Sequence, residues 1–387
     1  MPRLRIAVVL ALSLAVLGAV GAGARGRDAH RGQTLDRALT RLVHMRGGPP
    51  GAAAVVQRGH RFTFHDAGVR NVRSHGHWHR NDHMRIASVA KAFSGAVALA
   101  LVDRGRLRLG DTIGELLPRL PSNWAPVTLR QALNHTSGLP EYLSSEAFQD
   151  SFRKHPRKYL SPSDVIDFVR QKDLGFTPGS RYKYSNTDNF VIAMMARAST
   201  HRSYRRLLRS IVFGPLHLDR TSLPRGFRLP RPLAHGYFVD PPDPPIDVST
   251  AFSASGAWAS GGIQSTPADL NRFTRGYLGR RLFGRATQRR QLRFVKGHSE
   301  PPGPGANRAG LGIFRYRTRC GTVFGHTGNF PGYTQFTAAT RSGARSVTVS
   351  ANKQVVPDSP RRSTRRAFAA LHRIYTLAVC AALPRRG

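Results

Sequence analysis

Strand-like alternation sits at both ends of this 387-residue chain and helical patterning fills its middle, a distribution that narrows the fold more than any other feature. Near the start, Ala52–Gln57 and Arg61–Val69 alternate around the turn Arg58-Gly59-His60. Toward the end, Gly312–Thr318, Thr322–His326, Tyr333–Ala339 and Ser346–Ala351 read as four more strands. Between about residues 111 and 245 the patterns are helical and broken by Pro and Gly: Leu129–Leu133, Pro162–Gln171, Asp188–Thr200 and Tyr204–Phe213. The run Pro241-Pro242-Asp243-Pro244-Pro245 reads as a stiff linker closing that segment. Helices are expected at Thr34–His44, from Ser88 to about Asp103, at Pro267–Leu278 and at Arg365–Ala381. Strands from the two ends have to pair to bury their faces. The expectation is an α/β (α+β) fold: one antiparallel sheet flanked by terminal helices, formed by 25–110 and 246–387. Residues 111–245 would form a mainly helical insert, with a ligand cleft between the two parts.

Three short motifs then fall in order: Ser88-Val-Ala-Lys91, Tyr184-Ser185-Asn186 and His326-Thr327-Gly328. On a helix, Ser and Lys at i and i+3 share a face, so an amine can lie beside the hydroxyl. A serine hydroxyl is a weak nucleophile until a base takes its proton, and a desolvated lysine is such a base. A second hydroxyl, Tyr184, can pass the proton to a leaving amine. Two other Ser-x-x-Lys matches exist, Ser151–Lys154 and Ser350–Lys353. Only Ser88 opens a run of small and apolar residues that reads as a buried helix; Ser151 lies in a charged stretch and Ser350 ends a strand-like alternation. The plainer alternative for Ser88 is a helix cap.

The ordered trio resembles the active-site signature of the serine penicillin-recognising enzymes in their Tyr-x-Asn variety. That variety includes class C β-lactamases, D-alanyl-D-alanine carboxypeptidases and related esterases. Leu133-Asn134-His135-Thr136-Ser137-Gly138-Leu139, Thr177-Pro178-Gly179, Ser260 to Leu270 and Gly325 to Tyr333 look like the same family, so the resemblance runs from about residue 34 to the C-terminus. It implies a β-lactamase/transpeptidase-like fold and an acyl-enzyme on Ser88. Lys91 and Tyr184 act as one proton-transfer unit, and Asn186 orients the substrate amide. The backbone N–H groups of Ser88 and Asn329 form an oxyanion hole. His326, Thr327 and Gly328 face the substrate's terminal carboxylate, and Trp258 lines the cleft, unless it is a core aromatic. Arg315 and Arg317 are candidates to assist the carboxylate. His326 stands where most β-lactamases carry Lys; as an imidazole it is expected to titrate near neutrality. That histidine, and a disulfide pairing Cys320 with Cys380, are similar to features of secreted D-alanyl-D-alanine carboxypeptidases. A peptidoglycan stem peptide or another small acyl substrate is therefore expected, with β-lactams as inhibitors. The alternatives are a β-lactamase, an esterase or D-aminopeptidase using the same residues, or a non-catalytic envelope-binding protein on the same fold.

Arg3 and Arg5, the apolar run Ile6–Leu17 and Ala22-Gly23-Ala24 read as a signal peptide over 1–24, with an uncleaved anchor as the alternative. Export into an oxidising compartment fits a chain whose only two cysteines can pair. The formal net charge is +39, carried almost wholly by arginine, since there are only seven lysines. Such a field favours anionic cell-envelope polymers. The basic residues are spread along the chain and no nucleic-acid module is recognisable, so nucleic acid is not an expected partner; a monomer is. His75, His77, His79 and His83 raise a metal reading, but only Asp82 is near in sequence to complete a shell, and His-Glu-x-x-His is absent. Gly-x-Ser-x-Gly is absent too. No cofactor or metal is implied.

Overall fold

The computed structural model describes residues 31–383; the expected signal segment 1–24 lies outside the described residues. Eight strands form one antiparallel sheet: β1 (Gly51–Arg58), β2 (Arg61–Gly68), β3 (Val295–Lys296), β4 (Ala306–Gly310), β5 (Ile313–Thr318), β6 (Gly321–Phe330), β7 (Tyr333–Ala339) and β8 (Arg345–Ala351). Their order across the sheet is β2-β1-β8-β7-β6-β5-β4-β3, so the two ends of the chain meet where β1 pairs with β8, Ala53 opposite Ser350. The sheet is mixed with helices in an α+β arrangement, as the alternating segments at both ends require.

Period-two alternation divides the sheet between two cores. Ala52, Ala54 and Val56 pack with Leu35, Leu39 and Leu42 of the helix over 31–44, and with Leu371, Ile374 and Ala378 of the closing helix Arg362–Ala382. Ala53 faces the other way, into the core shared with the helical layer. Cys320, in the β5–β6 turn, is bonded to Cys380 of the closing helix, with Cα atoms 5.1 Å apart and 60 residues between them. Closing a loop of that length constrains the unfolded chain by about 4 kcal/mol.

The helix Ala90–Asp103 is the centre of the second layer. Alanine, valine and leucine cover it on all sides, and it is buried from Ala90 to Leu101. It lies so close to the sheet that a Cβ on Gly95 would come 2.8 Å from the Cα of Gly312 in the β4–β5 turn. The segment from 111 to 236 contributes helices and turns to this layer and no strand to the large sheet.

Three local readings change. β3 and β4 were not legible, because β3 has two residues and the Pro301-Pro302-Gly303-Pro304-Gly305 run between them breaks any alternation. β6 runs four residues past His326, through Gly328, which weakens its strand signal. The proline run 241–245 is not a linker but the tip of a small hairpin, in which Tyr237 pairs with Asp247 and Phe238 with Ile246.

Candidate active site

Ser88 sits in a single 3₁₀ turn, Ala87–Val89, that feeds directly into the helix Ala90–Asp103. Ala87 before it has φ +52°, in the left-handed region that costs a residue with a Cβ about 1 kcal/mol or more. What holds this turn is β6: a Cβ on Gly328 would stand 2.7 Å from Ile86 O and 2.9 Å from Ser88 N. Only glycine lets the strand backbone lie flush against the nucleophile's backbone. Gly328 is thus a packing requirement of the Ser88 turn.

One helical turn on, Lys91 is 1% exposed. Its Nζ lies 3.0 Å from Ser88 Oγ, 2.6 Å from Asn186 Oδ1 and 2.8 Å from Ser260 O. Burial lowers its pKa to about 7, against the opposing charges of Glu141, Glu300 and Asp188. A neutral amine has two N–H donors and one lone pair. Given to Asn186 Oδ1 and Ser260 O, the two donors leave the lone pair for the Ser88 hydroxyl hydrogen. This is the arrangement a general base needs.

Tyr184 is largely buried beside Ser88, its ring 5.0 Å from Lys91 Nζ. Burial pushes its phenol well above the usual value, and the neighbouring Ser88 hydroxyl offsets only part of this. A phenol held neutral passes protons as a relay; it does not serve as a standing phenolate base. Its ring rests on His135, centroids 4.5 Å apart, and His135 Nδ1 shares a hydrogen bond with Asp188 Oδ2 at 2.7 Å.

The third motif lies behind the site. His326 and Thr327 are 1% and 0% exposed and neither lines the cavity. His326 Nδ1 donates to Thr327 O at 2.5 Å, and Thr327 Oγ1 donates to Pro301 O at 2.5 Å. Burial, with the charge of Lys91 adding to it, lowers the His326 pKa to about 3, so the ring is neutral and does not titrate near neutrality. Asn329 does reach the cavity: its Nδ2 donates to Val355 O at 2.8 Å, while its buried Oδ1 has no partner among the described residues. Trp258 packs between Phe190 and Tyr204, ring centroids 5.4 and 5.1 Å away, and takes the core role rather than a place on the cavity wall. Arg315 and Arg317 line a separate slot beside Phe294, and Arg315 stacks over that ring at 5.1 Å.

The cavity in front of Ser88 has a volume of about 930 Å³. Its walls are largely apolar and carry the aromatic side chains of Tyr142, Phe148, Phe152, Tyr184 and Phe330. Phe148 and Phe152 come from the helix Glu146–Lys154, whose charged residues hid its apolar i, i+4 pair. The wall carboxylates are Glu300 and Asp358. Burial raises the carboxyl of Glu300, and Asp358's charge adds to the rise. The wall cation, Arg153, is paired with Asp150 on its own helix. Elsewhere, among the described residues no three His, Cys, Asp or Glu side chains converge as metal ligands. Asp82 of the histidine-rich loop instead accepts from Arg70 Nη1 at 2.8 Å and from His79 N at 2.7 Å.

Comparison with known proteins bears on the family and the fold. Over 268 residues the chain is 25% identical to Penicillin-binding protein 4* of Bacillus subtilis, covering 65% of this chain and 57% of that protein. The chain thus spans little more than half the length of that curated relative. A D-stereospecific amidohydrolase from Streptomyces sp. superposes with a TM-score of 0.74 at 30% identity, covering 86% of this chain and 97% of that one. A D-amino acid amidase from Ochrobactrum anthropi, complexed with L-phenylalanine amide, superposes with a TM-score of 0.77 at 23% identity, covering 90% and 98%. A family model described as Beta-lactamase matches residues 35–371. The chain belongs to that family.

Proposed function

We propose that this protein is an amidohydrolase that acylates Ser88 with the acyl part of a D-amino acid amide or short peptide bearing a free α-ammonium. The observation that carries this is the charge inside the cavity. A carboxypeptidase acting on D-alanyl-D-alanine has to hold a terminal carboxylate. Here His326 is buried and neutral, Arg315 and Arg317 belong to another slot, and the wall presents Glu300 and Asp358 against Arg153, which is paired with Asp150. Such a wall repels a carboxylate and attracts an ammonium. Its aromatic faces suit an aromatic side chain. The similarity to a D-stereospecific amidohydrolase at 30% identity supports the D-configuration.

In this reading Lys91 Nζ takes the Ser88 proton as Oγ adds to the amide carbon. The resulting oxyanion meets the backbone N–H groups of Ser88 and Asn329, donors of a kind worth about 3–4 kcal/mol each. Collapse breaks the C–N bond while the proton passes through Tyr184 to the departing nitrogen. Water, deprotonated in turn by Lys91, then cleaves the ester and restores Ser88.

The test is ammonia release from D-phenylalanine amide, L-phenylalanine amide and N-acetyl-D-phenylalanine amide, alongside D-alanine release from N,N′-diacetyl-L-Lys-D-Ala-D-Ala. The expected result is turnover of the free D-amide at least about tenfold faster than of the other substrates. Release of D-alanine with the amides untouched would return the function to a carboxypeptidase. Intact mass after benzylpenicillin separates a lasting adduct from hydrolysed drug.

A further inference from the structure

The sequence-based site does not include Glu141, yet this residue touches the partners of Lys91 from behind. Its Oε2 accepts from Asn186 N at 2.6 Å and from Asn186 Nδ2 at 3.1 Å, and its Oε1 accepts from Leu143 N at 2.9 Å. Holding Nδ2 fixes which way the Asn186 amide faces, and so aims Oδ1 at Lys91 Nζ, 2.6 Å away. The next residue braces the other acceptor: Tyr142 Oη is 3.3 Å from Ser260 Oγ, and Ser260 O is the second oxygen on Lys91. The turn itself is stitched to the Asn186 segment. Thr187 Oγ1 donates to Pro140 O at 2.6 Å, and Tyr142 N donates to Thr187 Oγ1 at 3.2 Å. One short turn therefore positions both acceptors that leave the Lys91 lone pair on Ser88.

We infer that Glu141 is a positioning residue for proton transfer, whose carboxylate aims Asn186 at Lys91 and whose charge sets the pH at which Lys91 becomes a free base. The groups facing Lys91 are Glu141, Glu300, Asp188, His135, His326 and Tyr184. The two imidazoles are held neutral by burial, each lowered to about 3. Tyr184 is a neutral phenol, and burial pushes the Asp188 carboxyl well up while Ser137 opposes this. Glu300, on the cavity wall, is the second opposing charge on Lys91 and stays in place when Glu141 is replaced. Burial also raises the Glu141 carboxyl, but the N–H donors of Asn186 and Leu143 act the other way, and Glu141 is the largest opposing charge on Lys91.

This rests on Lys91 as the base of the acylation step, and the experiment separates the two ideas. The rate of Ser88 acylation by p-nitrophenyl acetate is followed from pH 5 to 9 in the full chain and in Glu141→Gln, Glu141→Ala and Glu141→Asp. Glutamine keeps an acceptor for Asn186 and removes the charge; the Leu143 N–H it abandons can turn to water, because Leu143 is 43% exposed. The expected result for Glu141→Gln is an acidic limb displaced downward by about 1 pH unit, with a plateau within about threefold of wild type. Glu141→Ala should show the same displacement with a plateau at least about tenfold lower, since it leaves the Asn186 amide unpaired. Glu141→Asp should return the limb to its wild-type position, whatever its plateau. Limbs fixed at the wild-type pH in all three variants would reduce Glu141 to a structural brace and overturn the inference. A wild type with no limb in this range would overturn Lys91 as the base, and the inference with it.

Discussion

Ser88–Lys91 and Ser350–Lys353 share a spacing and a buried lysine but not a backbone conformation. In the first, the chain enters a helix, and residues three apart lie on one face, 3.0 Å between Oγ and Nζ. In the second, Ser350 lies in the extended β8, which ends at Ala351, and Lys353 follows two residues beyond it in an isolated bridge with Tyr237, so no helical turn brings the amine back to the hydroxyl. Ser350 faces the helical layer beside its cross-strand partner Ala53. Lys353 turns to the other side, where its Nζ donates to Gly47 O at 2.6 Å. Burial lowers both lysines, Lys91 to about 7 and Lys353 to about 8. A softened lysine is therefore not enough. Ser151–Lys154 completes the contrast: it lies on a helix with the right spacing, but Lys154 is exposed to water. Nucleophile and base arise only where helical spacing and burial coincide.

The comparison breaks most easily at its largest expected effect. Ser88→Ala should lower acylation by p-nitrophenyl acetate at least about 10⁴-fold and abolish any mass adduct with benzylpenicillin. Lys91→Met should cost about 10²–10⁴-fold, the usual weight of a general base. Ser350→Ala and Lys353→Met should stay within about threefold of wild type, because neither side chain reaches the cavity. A loss in Lys353→Met equal to that in Lys91→Met would mean that the two lysines are not separated as their surroundings imply.

Stability against pH sharpens the comparison by finding what the two lysines share. Each has a folded pKa below its unfolded value of 10.5. Between the folded and unfolded values the unfolded chain binds more protons, so stability rises with pH: from about 7 upward for Lys91, and from about 8 upward for Lys353. Urea unfolding from pH 7 to 9.5 should show this rise in wild type, a shallower one in either Lys→Met variant and the shallowest in the double variant. An equal slope in all four would show that neither lysine is desolvated.

What the sequence made legible follows the same physics. The helix carrying Ser88 and Lys91, the Tyr184–Asn186 pair and the strands near both ends are local patterns, and local patterns fix their own geometry. The reading faltered where the determining contact lies far away in the chain. His326 is neutral because the fold buries it among Tyr184, Phe314 and the Lys91 charge, none of them near it in sequence except Phe314. Ser260 contributes a backbone carbonyl to Lys91, which no side-chain motif announces. Glu141 stands just past the family-like stretch ending at Leu139, and only the fold brings it to Asn186, 45 residues on. Phe148 and Phe152 make a cavity wall from a helix that reads as charged.

The smallest expected effect tests the strand half of the comparison directly. Ser350 is 1% exposed, and among the described residues its Oγ finds no hydrogen-bond partner. In a helix that hydroxyl would have had a lysine beside it; in β8 it has only the desolvation penalty. A buried hydroxyl without a partner costs about 1–3 kcal/mol. Removing one oxygen leaves a void of roughly 10–15 Å³, which at about 24 cal/mol per Å³ costs some 0.3 kcal/mol. The desolvation term is larger, so Ser350→Ala should raise the unfolding free energy by about 1 kcal/mol while acylation is unchanged. Loss of stability in this variant would mean that the hydroxyl is satisfied after all, by ordered water or by a donor across the sheet.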